Sequence, residues 1–99
     1  MDDKVKIGCY MYKIENKPLL SNSIDVKGMC DFLNLTIKID ETLNKELKKE
    51  TLIHECVHAL DNFMDIDLTE EQVVKLGKSI TMFIIDNKEL INKIYDKDI

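Results

Sequence analysis

Thr51-Leu52-Ile53-His54-Glu55-Cys56-Val57-His58-Ala59-Leu60-Asp61 is the stretch on which the reading of this 99-residue chain turns. It holds a His-Glu-x-x-His motif, and His54 and His58 are the chain's only two histidines. Residues four apart on a helix lie on one face a turn from each other, so both imidazoles can reach a single ion. Glu55, beside the first histidine, is then placed to handle water at that ion. Zinc is the expected metal, since neutral imidazole suits it and an active site takes three protein ligands with one position left open. Cys56 lies two residues beyond His54, about 200° around the helix, and is not expected to be a ligand.

Working outward, Leu47, Ile53, Val57, Leu60 and Met64 fall at helical spacing, widened by Cys56 and Phe63. His54, His58 and Asp61 form a neighbouring stripe. Thr42 or Asn44 can cap the start of this helix. Downstream, Leu68-Thr69-Glu70-Glu71-Gln72-Val73 contains a capping box (Thr69 with Gln72) and a hydrophobic staple (Leu68 with Val73), which predicts a helix from Thr69 to about Asp86. Asn87 can cap a last short helix carrying Leu90, Ile91, Ile94 and Tyr95.

Upstream the period changes from helical to two. Val5, Ile7, Cys9 and Met11 alternate with Lys4, Lys6, Gly8 and Tyr10, the pattern of a half-buried strand that ends near Pro18. A second extended run spans Val26 to Phe32, and Leu35, Ile37 and Ile39 alternate in a third. Leu33-Asn34 between them predicts a tight hairpin turn. The expected fold is α+β, residues 1–99 forming one domain. A small antiparallel sheet of about three strands precedes the motif helix and two further helices.

Composition limits the partners. A formal charge of −5 argues against nucleic acid, and all fourteen basic residues are lysines, so no guanidinium clamp exists. No apolar run approaches a membrane span, and there is no leader-like segment. Cys9, Cys30 and Cys56 are odd in number and widely spaced, which reads as reduced thiols buried as small hydrophobes in a cytoplasmic protein.

A third ligand must come from the acidic cluster Asp61, Asp65, Asp67, Glu70 and Glu71. Glu70 shares a helix face with Val73, Val74, Gly77 and Ile84, the inward side, whereas Glu71 shares its face with Lys75, Lys78 and Met82. Glu70 is the first choice, with Glu71 and Asp61 as alternatives. Gly77 on the same face would let the two helices approach closely. Asp61, one turn past His58, is expected to accept a ring N–H and fix the tautomer.

Strands, a helix with His-Glu-x-x-His, then a helix opening on glutamate resembles the zincin metallopeptidases. From about Gly28 to Asn87 the chain is similar to small metallopeptidase-like proteins of phages and mobile elements, akin to the ImmA/IrrE type. The resemblance implies a minimal zincin-like fold, a third ligand at Glu70, and a peptide or protein substrate such as a transcriptional regulator. Val74 stands where the family places a polar residue. A Gly-x-x-His extension and a methionine turn are both absent, which excludes the metzincins. The expected function is peptide-bond hydrolysis, with zinc on His54, His58 and Glu70 and with Glu55 as general base. Leu35–Ile39 is expected to be an edge strand that pairs with substrate, and Tyr10, Tyr12 or Tyr95 could stabilise the oxyanion. The alternative is a zincin-scaffold protein that binds a host or regulator protein without catalysis.

Overall fold

The computed structural model describes residues 3–18 and 27–96; the onset of the second extended run at Val26 lies outside them. The described chain is α+β, with four strands and three helices. The strands are β1 (Lys4–Ile7), β2 (Tyr10–Lys17), β3 (Gly28–Asp31) and β4 (Thr36–Asp40); the helices are α1 (Lys45–Met64), α2 (Glu70–Asp86) and α3 (Lys88–Ile94).

The expected three-stranded antiparallel sheet is corrected to a four-stranded mixed one, in the order β1-β2-β4-β3. The first alternating run is two strands. Gly8 adopts φ +61° between the paired residues Ile7 and Tyr10, the positive φ at the first turn position that a two-residue hairpin favours. The reversal moves the inward set from odd to even positions. Val5 and Ile7 therefore share their face with Tyr12 and Ile14, while Met11 is exposed and Cys9 sits exposed at the turn. Strand β4 pairs parallel with β2 and antiparallel with β3, so it lies inside the sheet. Leu35–Ile39 is not an edge; β1 and β3 are.

The β3–β4 hairpin forms as expected, with a longer turn. Phe32 to Leu35 close the loop, and the Asp31 carboxylate accepts the amides of Leu33 and Asn34 at 3.0 Å and the Asn34 side chain at 2.8 Å. Those bonds, the Asn34 side chain first, hold the Asp31 carboxyl below its ordinary pKa.

Helix α1 starts where Asn44 accepts the Leu47 amide at 2.9 Å, and α2 starts on the reciprocal Thr69–Gln72 box at 2.9 and 3.1 Å. Asn87 behaves differently from expectation. Its side-chain amide donates to the Phe83 carbonyl and closes α2, and α3 has no side-chain cap.

The layers run sheet, α1, α2. Helix α1 packs across β1, β3 and β4; α2 packs on α1, and among the described elements α3 touches only α2. The core is Ile7, Tyr12, Ile37, Ile39 and Ala59, bordered by Leu52, Cys56 and Cys30. Of the expected apolar face of α1, Val57 is buried and Cys56 packs on the core, but Leu60, Phe63 and Met64 are exposed, and the sheet-facing side runs Leu52-Cys56-Ala59. Ala59, the chain's single alanine, and Ile37 are both 0% exposed, since only a methyl fits where the helix meets the sheet. No helix of the described residues is long and apolar enough to cross a membrane. Replacing Ala59 with leucine overfills this contact. Thermal unfolding of Ala59→Leu should show a loss of about 1–3 kcal/mol against wild type.

Candidate metal centre

Helix α1 carries His54 and His58 on the side facing α2, their ring centroids 5.0 Å apart. Glu70, the first residue of α2, reaches back between them. Its Oε1 lies 3.1 Å from His54 Nε2 and its Oε2 lies 3.2 Å from His58 Nε2. These three residues form a group whose ligand atoms lie within 4.8 Å of one another, and they could hold a metal ion. Four donors at about 2.0–2.1 Å around a tetrahedral ion stand roughly 3.3 Å apart. The two observed approaches, each to a different oxygen of Glu70, are close to that edge, so the group could hold a metal ion.

The local sequence explains why Glu70 arrives there. Asp65 and Asp67 take positive φ (54° and 71°) and turn the chain after α1. Asp61 Oδ1 accepts the amides of Asp67 at 2.8 Å and Leu68 at 3.1 Å, which ties that turn to the motif helix. The capping box then fixes where α2 begins. Asp61 was expected to orient a histidine; among the described residues it bonds neither ring, and it positions Glu70 through the loop instead. Glu71 points away and pairs with Lys75 at 4.0 Å.

Gly77 has the role its sequence position indicated. A Cβ there would stand 3.3 Å from the His54 Cα, so a side chain would press on the backbone that carries the first imidazole. Burial, then His58, lowers the His54 pKa against the opposing pull of Glu70. A neutral imidazole is the form that ligates a metal.

Glu55 sits in an environment unusual for a carboxyl group. It is 7% exposed, and among the described residues no hydrogen bond or ion pair reaches its carboxyl group. Gly28 opens β3 directly above it: a Cβ at Gly28 would meet Thr51 Cγ2 at 2.6 Å, the Lys38 carbonyl at 3.0 Å and Glu55 Cγ at 3.3 Å. Burial, with Glu70 adding to it, pushes the Glu55 carboxyl up to about 7. The same apolar setting raises Cys30 to about 12 and Cys56 to about 11, again chiefly by burial.

His54 and Glu55 open into a cavity of about 460 Å³ bounded by β3, α1 and α2, with Lys27, Gly28, Thr51, Glu50, Val74 and Lys78 on its walls. Lys78 pairs with Glu50 at 3.8 Å; Lys27 has no ion-pair partner among the described residues. The three tyrosines lie elsewhere. Tyr12 is in the core, Tyr10 packs edge-on against Phe63 at 5.9 Å, and Tyr95 is exposed.

No protein-family model, curated protein or solved structure matches this chain. The site therefore stands on its own geometry.

Sequence reasoning passed over Lys27 and Glu50 and set Lys78 on the outward face of α2, whereas the packing of three elements brings all three to one cavity. Gly28 did carry a signal, because a glycine in a strand often marks close backbone approach.

Two measurements check this description. In the metal-free protein Glu55 has a folded pKa of about 7 against an ordinary 4.5, so the folded state holds its proton more tightly than the unfolded one. Its contribution is most favourable below pH 4.5 and is lost as pH rises to 7. Denaturation across that range should therefore show wild type losing stability relative to Glu55→Gln. Asp61→Ala removes no ligand but frees the turn before Glu70, and titration with zinc should show affinity reduced roughly ten-fold.

Proposed function

We propose that this protein is a zinc-dependent metallopeptidase of minimal zincin-like design, encoded by a phage or mobile element and acting in the cytoplasm on a peptide or on a protein such as a transcriptional regulator. One observation carries the reading: a buried carboxyl, Glu55, without a hydrogen-bond partner among the described residues, opens into a cavity beside a His54-His58-Glu70 group that could hold a metal ion. A buried acid without partners is costly for a fold, and perturbed carboxyls in clefts cluster at sites of proton transfer.

His54, His58 and Glu70 would hold the ion. When bound, zinc supplies Lewis acidity toward a peptide carbonyl and toward water. Glu55, the carboxyl beside the first histidine, would take the proton of the attacking water and deliver it to the leaving amine. Gly28 and Thr51 shield that carboxyl from bulk solvent. Lys27 places positive charge on the cavity wall, where an arginine or a third histidine would otherwise serve the developing oxyanion. The open edge of β3, which begins above Glu55, is the strand against which an extended substrate would lie, in place of the interior β4.

A second reading, a zinc-loaded binding protein on the same scaffold, draws on Val74. It lines the cavity where a hydrogen-bonding partner for the site was expected. The two readings part on one variant. Glu55→Gln should keep one zinc per chain by metal analysis and lose peptide cleavage by about 10²–10⁴-fold, the range that general acid–base catalysis supplies. Undiminished turnover would remove Glu55 from the chemistry, and a biological effect that survives Glu55→Ala would favour the binding protein.

A further inference from the structure

The chain's five threonines all lie among the described residues, and four of them use their side-chain oxygen within the fold. Thr36 donates to the Asn34 carbonyl at 3.0 Å, Thr42 to the Asp40 carboxylate at 2.9 Å and Thr81 to the Gly77 carbonyl at 2.7 Å; Thr69 accepts the Gln72 amide at 3.1 Å. Thr51 is the exception. It is 6% exposed, and among the described residues no hydrogen bond reaches its hydroxyl. A threonine inside a helix ordinarily has a partner at hand in the carbonyl four residues back, and Thr81 uses it. Thr51 makes no such bond to Leu47. Its methyl lies against the start of β3, where a Cβ on Gly28 would come within 2.6 Å.

A buried hydroxyl without a partner weakens a fold, and valine has the same shape without that cost. Thr51 is little exposed yet lines the same cavity as His54 and Glu55, so whatever reaches it must enter that cavity. We propose that Thr51 is a substrate-binding residue, its hydroxyl donating to a main-chain carbonyl of the peptide within two residues of the bond that is cut. The proposal rests on the peptidase reading above and adds how the substrate is held.

Position and chemistry select that ligand group. Thr51 precedes His54 by three residues and Glu55 by four, about 4.5 and 6 Å along a helix axis. An extended peptide advances about 3.3 Å per residue, so one that follows α1 with its reacting carbonyl beside His54 and Glu55 passes Thr51 within two residues. The other α1 residues on the cavity wall are committed or apolar. Leu47 offers no donor, Glu50 pairs with Lys78 at 3.8 Å, His54 Nε2 faces Glu70 at 3.1 Å, and Glu55 is the proposed base. Thr51 is left as the α1 side chain that can donate to a carbonyl oxygen, an acceptor that every residue of a peptide presents. On the opposite wall Val74 and Gly77 bring no side-chain hydrogen-bonding group. The substrate described in this way is an extended peptide that continues along α1 beyond the scissile bond. A contact to its main chain is indifferent to side-chain sequence.

The test uses the zinc-loaded full chain and the peptide it cuts fastest in a mixture of random-sequence decapeptides, read by mass spectrometry. Thr51→Val should raise KM roughly ten-fold with kcat little changed, the mark of a lost contact made alike in ground and transition states. Thr51→Ser keeps the hydroxyl and should stay within about three-fold of wild type. Thermal unfolding of Thr51→Val should come at or above the wild-type temperature, because a methyl replaces a hydroxyl that bonds nothing in the fold. Equal KM in wild type and Thr51→Val overturns the proposal and leaves the peptidase reading standing. A Thr51→Val chain that unfolds below wild type, or a loss that Thr51→Ser shares, overturns it too, since the residue then serves the fold. A wild-type chain that cuts none of the peptides removes the peptidase reading, and this proposal with it.

Discussion

The contact of α1 with the layers on its two sides is the constraint from which the rest of this structure follows. On one side Ala59 shares the core with Ile37 and Ile39; on the other, Gly77 of α2 approaches so closely that a Cβ there would stand 3.3 Å from the His54 Cα. Neither approach tolerates a larger residue without displacement. A helix held this closely on two faces has little freedom to rotate, and both imidazoles inherit that fixity. The chain therefore spends its small core on the element that carries both histidines. For a chain of this length that is an economical arrangement, because little other apolar volume is available.

The same closeness puts a carboxyl group where burial would normally admit none. Glu55 occupies a position on the sheet-facing half of α1, under Gly28, and shares its surroundings with the Cys30 and Cys56 thiols. All three acids are pushed toward their neutral forms chiefly by the removal of water by packing, with neighbouring acidic groups adding to it. Instability tolerated at a single ionisable group beside a metal-binding arrangement is how proteins commonly keep an acid poised near neutrality. Stability elsewhere offsets it, through the reciprocal cap of α2 and the paired amides held by Asp61 and by Asp31.

The turn between α1 and α2 links these parts. Asp61 belongs to the motif stretch, yet it acts on the chain six and seven residues later, and through that chain on Glu70. Loop and ligand are thereby set by the helix they serve. At the far end of α2 the Asn87 side chain closes the helix on the Phe83 carbonyl, and Met82, Phe83 and Ile85 are exposed.

The sequence by itself determined what is local. Helical spacing put His54 and His58 on one face of α1, the capping box placed the first residue of α2, the face shared with Val73, Val74 and Gly77 put Glu70 ahead of Glu71, and Gly77 announced a close helix contact. Each of these depends on residues within one or two turns, where side-chain and backbone geometry leave few choices. Tertiary structure alone decided what depends on pairing across the chain. A two-residue turn at Gly8 moved the inward side chains from Met11 to Tyr12, β4 went to the interior of the sheet in parallel with β2, Asp61 turned from a histidine to a loop, and Glu55 was buried beneath β3. The physical reason is common to all four. Strand order, register and the depth of a side chain are set by which distant segments exclude water together, and hydrophobic contact is non-directional, so a one-dimensional pattern records that a residue will be buried but not against what.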